Sequence, residues 1–218
     1  MISKVSNFSG PNSNLFRKTI AASSGPVGTI VSYTLGSYFD AYTSQSGVTT
    51  TDGISTNNGC WQLYYAFRQI TINTGANQIG LNSYSGGSNS WSWFISVSSI
   101  NDTIGSFPNI TTIANTTSFS YAAGGFNQHT IATGVTIPAN RYFLIGNTGG
   151  PFYRTIKSLA SSRTAQVSGT NYFTVVNRVC LGNWPSGGTT TVPTQFGGSG
   201  TGYTEYSSHV HVHSVKFN

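Results

Sequence analysis

Three of the four histidines of this 218-residue chain fall in one run, "SSHVHVHSVKFN", residues 207–218, at His209, His211 and His213. In a β-strand, residues two apart share a face and sit about 6.5–7 Å from one another. A neighbouring pair in this run could therefore reach one metal ion, and imidazole suits zinc, copper, iron and nickel. The outer pair is about 13 Å apart along a straight strand, so three ligands to one ion is the harder geometry. No Asp or Glu lies within the run, and Glu205 comes four residues before His209. A complete site would have to borrow a ligand from elsewhere in the fold or from another subunit. The other reading makes the run a last strand with its histidines facing solvent and Val210 and Val212 pointing to the core.

Other chemistry is sparse. The chain has only four acids, Asp40, Asp52, Asp102 and Glu205. Asp52 precedes Gly53, and Asp102 lies in "INDTIG"; both read as turn residues that hydrogen-bond their own backbone. Carboxylate-pair hydrolysis needs two acids flanking one bond, and no such pair is legible. No G-x-S-x-G elbow on a strand–turn–helix frame is present, and no phosphate loop leads from a strand into a helix. His129, alone in "FNQHTIA", reads as a strand residue with a backbone hydrogen bond. The expectation is a protein that is not an enzyme.

Aromatic rings offer a second kind of site. Trp and Tyr present flat amphipathic faces on which sugars stack. The candidates are Trp91 and Trp93 in "SWSWFISVSS" (90–99), and Trp184 and Phe196 in the Gly- and Pro-rich stretch 183–202. That stretch and "DAYTSQSGVTTTDGISTNNG" (40–59) read as long loops, which in a compact domain are usually functional or mobile; the rings there could equally pack under their own loops. Trp91 and Trp93 share a face of an alternating strand, a pattern that also describes a core.

The elements that would position these residues are strands. Charged residues are 6% of the chain and aromatics 13%, with 26 Gly. Thr, Tyr, Phe and Val suit pleated half-buried surfaces, and Gly, Asn and Ser suit turns. "CWQLYYAFRQITI" (60–72) alternates, with Trp61, Leu63, Tyr65 and Phe67 expected on a core face and Gln62, Tyr64, Ala66 and Arg68 on the other. "RYFLIGN" (141–147) is continuously apolar and reads as a central strand covered on both sides. Further strands are expected at 27–36, 77–84, 126–132, 171–182 and 208–217. The whole points to one all-β domain over residues 1–218, of β-sandwich or jelly-roll type. Cys60 and Cys180 lie in apolar runs; they could pair if the fold brings their strands together, and buried free thiols are the favoured reading.

The formal charge of +6 comes from ten scattered bases against four acids. It forms no basic stripe interleaved with aromatics, so no nucleic-acid partner is expected. No stretch is apolar for the length of a membrane helix. The opening "MISKVSNFSGPNSN" lacks the apolar centre of a secretion signal, so none is expected.

H-x-H on a β-strand resembles the motif at the tips of tailed-phage fibres and tail spikes, where three identical chains each give two histidines to one iron. The resemblance rests on His209 with His211, or His211 with His213. It implies a homotrimer, iron at the histidine run, and a place on the virion surface after assembly in the host cytoplasm, as capsid decoration or part of a fibre or spike. Its partners would be other virion proteins and a host-surface glycan. Iron or zinc at the run is the one cofactor the residues allow, and otherwise none is expected. The alternative from another class is a lectin-like carbohydrate-binding module. Cupin sites also use H-x-H, but they need a Glu and a further His downstream, and only Ser214 to Asn218 follow His213.

Overall fold

The structure, a computed structural model, describes residues 28–42, 55–56, 59–82, 87–98, 110–115, 119–121, 126–149, 152–153, 156–159, 161–182 and 203–218. Among these there is no helix, and so none long and apolar enough to cross a membrane. The chain is all-β, as its composition requires.

The strands in chain order begin with β1 (Thr29–Ser32), β2 (Tyr38–Asp40), β3 (Ser55–Thr56), β4 (Cys60–Ala66), β5 (Ile70–Ile72) and β6 (Gly75–Asn82). Then come β7 (Gly87–Ser98), β8 (Ile110–Asn115), β9 (Phe119–Tyr121), β10 (Phe126–Ile131), β11 (Val135–Ile137) and β12 (Arg141–Gly149). The last are β13 (Phe152–Tyr153), β14 (Ile156–Ser158), β15 (Arg163–Val167), β16 (Thr170–Gly182), β17 (Tyr203–Ser207), β18 (His209–His211) and β19 (His213–Lys216).

A nine-stranded sheet runs β1-β15-β16-β4-β12-β7-β8, with β17 beside β16 and β9 beside β7. A four-stranded sheet runs β10-β6-β19-β2. The pairings are antiparallel except β1 with β15, which is parallel. Strand structure falls in each expected stretch, but 60–72 divides into β4 and β5 and 208–217 into β18 and β19; 141–147 is central, since β12 lies between β4 and β7. Part of the expected loop 40–59 carries structure, because β3 pairs with β13; residues 43–54 and 183–202 lie outside the described residues.

The main core joins the two sheets. Tyr64, Ala66, Trp93, Ile95, Phe143, Ile145, Phe173 and Val175 come from the large sheet, and Phe39, Ile79, Leu81, Ile131 and Val215 from the small one. Alternation along β12 divides the strand: Phe143 and Ile145 enter this core, while Tyr142 and Leu144 enter a second cluster on the opposite face with Trp61, Leu63, Tyr65 and Cys180. This corrects the expected half-buried strand at 60–72. All seven residues of β4 are buried, and the larger core lies on the Tyr64 and Ala66 side. A strand in the middle of a wide sheet with both faces covered has no solvent side to assign.

The two cysteines are buried and form no disulfide. Cys180 pairs with Trp61 and shares its face, whereas Cys60, the residue before Trp61, points to the other. The sheet itself separates the two thiols.

Candidate functional site

The histidine run is not one straight strand. Ser208 has a φ of 60°, in the left-handed region, and turns the chain out of β17. β18 pairs with β14, and after Val212 the chain enters the four-stranded sheet as β19, between β6 and β2. This break upsets the simple alternation. Val210 is buried in the main core, as expected, but His211 and His213 are 0% and 2% exposed. His213 shares its face with Val215 and Phe217, and that face packs inward. The reading of the run as a solvent face is therefore corrected. His209 alone is partly exposed, with its Nδ1–H donating to Ser207 O at 2.8 Å.

What fixes β18 is Gln62. β16 advances from Val175 to Val179 while β4 advances only from Tyr64 to Gln62, which leaves a bulge at Val176–Arg178. Gln62, fully buried, fills the gap. Its Nε2 shares its two N–H groups among Val176 O at 2.5 Å, Leu63 O at 3.0 Å and Arg178 O at 3.1 Å. Its Oε1 accepts the His211 N–H at 2.9 Å. One amide thus satisfies backbone groups that the irregular ladder would leave buried and unmade. Nothing in the alternation of 60–72 marks Gln62 for this, since a polar residue on an even position reads as solvent-facing.

Above Gln62 three histidines converge on one indole. Ring centroids lie 5.6 Å from Trp93 for His213, 5.9 Å for His211 and 6.3 Å for His129, and His211 and His213 are 4.9 Å apart. The four rings come from β7, β10, β18 and β19, so the cluster spans both sheets. Tyr64 O–H donates to His213 Nε2 at 2.7 Å, and His213 Nδ1–H donates to His211 O at 3.1 Å. This assigns His213 the neutral form with its proton on Nδ1. Burial pushes His213 down to about 3, against the opposing pull of its bond to His211 O. Burial likewise pushes His129 down to about 4 and raises the Tyr64 hydroxyl well above its ordinary 10. Asn147 pairs with Trp93 across β12 and β7. It is fully buried, and neither atom of its amide has a hydrogen-bond partner.

The residues do not fit the iron that the H-x-H resemblance implies. Both ring nitrogens of His213 are engaged, and a threefold site needs the rings on an outer surface. Among the described residues no three His, Cys, Asp or Glu side chains are placed to hold a metal ion.

The aromatic candidates divide. Trp93 is fully buried, which corrects its assignment as a ligand-stacking ring: β7 is an inner strand and that face carries the core. Trp91 lies in β7 opposite Gly149 and Phe119. Trp184 and Phe196 fall outside the described residues.

A smaller polar group borders the cluster. Ser214 Oγ donates to Asp40 Oδ1 at 2.6 Å, and the Arg163 guanidinium donates to the Asp40 carbonyl and lies 5.4 Å over the Phe39 ring. No protein-family model matches this chain, and no curated protein matches it in sequence.

Proposed function

We propose that this chain is a non-enzymatic structural protein of the surface of a phage virion, as capsid decoration or part of a fibre or spike. The observation that carries the scaffold half of this reading is the use made of the histidines. Three of the four are packed inside, and the groups that could do chemistry beside them, Tyr64 and Gln62, are engaged in internal hydrogen bonds. The finer architecture we read as a β-sandwich of jelly-roll type, supported by two sheets that fill one core between them. The virion half rests on composition. Strands rich in Thr, Asn, Gly and Tyr, with 6% charge, suit a surface that must stay soluble in a dense symmetric assembly. A homotrimer is the matching oligomer, since such chains gain stability through closed symmetry.

The test is a density-gradient preparation of particles from cells that carry this sequence in a phage genome. Antibody against the chain should label the outside of intact particles. Recovery only in the soluble fraction, with no label on particles, would contradict the reading. The lectin alternative now rests on Trp184, Phe196 and Trp91, because Trp93 is in the core. Quenching of tryptophan fluorescence by soluble host glycans would favour it.

A further inference from the structure

We propose that His129, His211 and His213 around Trp93 form an acid-sensitive latch, which holds the C-terminal strands β18 and β19 against the nine-stranded sheet when neutral and releases them when protonated. The latch joins β7 of the large sheet, β10 and β19 of the small sheet and β18, which pairs with β14, through ring contacts of 4.9–6.3 Å between buried side chains. A proton added at His213 Nε2 would turn the Tyr64 hydroxyl from donor to acceptor and strand its own O–H. A charge there has little to stabilise it.

The groups facing the cluster, element by element, show why. β4 offers Tyr64, whose hydroxyl stays neutral, and the uncharged Gln62. β12 offers the Asn147 amide. β6 offers only Ile79 and Leu81. On β2, Asp40 pairs with Ser214 and accepts its hydroxyl, on the opposite face of β19 from His213. On β15, Arg163 is a cation that would repel an imidazolium. Arg178 of β16, opposite Ser207, carries the same positive sign. The Asp40 charge reaches the Tyr64 hydroxyl, while its Oδ1 is held by Ser214.

The sign follows. His129 and His213 stay neutral in the folded chain down to about 4 and about 3, while an exposed imidazole charges at 6.5. The open state therefore binds more protons below pH 6.5. The stability that the neutral rings contribute is complete above that pH and is lost as pH falls toward the folded values. Each histidine multiplies the open-to-closed ratio about tenfold per pH unit, so the two together give about a hundredfold until about pH 4. The chain has only four acids, so little carboxylate titration obscures this.

The experiment is urea unfolding by tryptophan fluorescence from pH 7 to 4.5, on the wild type, His129→Phe and Asp40→Asn. It is joined by an NMR titration of the imidazoles of the folded wild type and by amide exchange of residues 209–216. The expected results are an uptake of at least two protons in the wild type, about one fewer in His129→Phe, and no change in Asp40→Asn. His129 and His213 should not titrate near 6.5 in the folded chain, and protection should fall first in β18 and β19. The latch is overturned by an equal slope in His129→Phe, by a slope that disappears in Asp40→Asn, or by His213 titrating near 6.5 while the fold persists. The NMR reading needs no variant, so it decides even if a substitution prevents folding.

Discussion

Gln62, Tyr64 and Asn147 are three polar side chains inside one core, and they differ in what their removal should do. Gln62→Leu would remove the side-chain partner of the Val176 and Arg178 carbonyls and of the His211 N–H. At 1–3 kcal/mol for each such group, with partial relaxation, a loss of about 3 kcal/mol in urea unfolding is expected. Tyr64→Phe removes one hydrogen bond and keeps the ring stacked on Phe143 at 4.9 Å, so the loss at pH 7 should be about 1 kcal/mol. Asn147→Leu has the opposite sign. It replaces an unsatisfied amide by an apolar group of similar shape and should gain about 1 kcal/mol. The types of these residues were legible in the sequence, but their burial was not. An alternating strand shows two faces and does not say that both are covered. The histidine run misled for the same reason. Odd positions from 209 to 217 hold His, His, His, Val and Phe, and the inward pull of Val215 and Phe217 was the available signal that His213 turns in with them.

At the scale of elements, the strands were well marked by alternation at 60–72 and 90–99 and by the apolar run at 141–147. What was not marked is where one strand leaves one sheet for another. That is set by the turn at Ser208 and the step at Val212, which place β18 and β19 in different sheets. The β16 bulge was equally hidden, since a two-residue mismatch in pairing has no pattern of its own. Close contact between β4 and β12 depends on Gly146. A Cβ there would fall 2.3 Å from Trp61 Cδ1 and 2.5 Å from the Cys60 carbonyl. The carbonyl is backbone and cannot swing aside, so Gly146→Ala should cost about 2–3 kcal/mol in thermal or urea unfolding. Between β4 and β16, Cys60 and Cys180 lie on opposite faces of the sheet. A thiol reagent should label neither in the native chain and both in denaturant.

Across the whole molecule, the C-terminal run closes the core. Phe217 packs 4.3 Å from Phe173, its N–H donates to the Tyr33 hydroxyl at 2.9 Å, and its carbonyl accepts from Tyr33 at 3.0 Å. Asn218 and Thr71 exchange backbone bonds at 2.8 and 2.9 Å. Residues that looked in the sequence like an exposed metal ladder are thus part of the inner packing, and the proposed trimer has to be held by other surfaces. Light scattering on purified protein should give three times the chain mass, unchanged by a strong chelator. A trimer that falls apart on chelation would place a metal back at its centre. The most direct test of the account is the accessibility of the four histidines. Native protein treated with diethyl pyrocarbonate at neutral pH, then digested and read by peptide mass, should carry the label on His209, with His129, His211 and His213 protected until denaturant is added. Labelling of His211 and His213 as fast as His209 would contradict the buried cluster and the latch built on it.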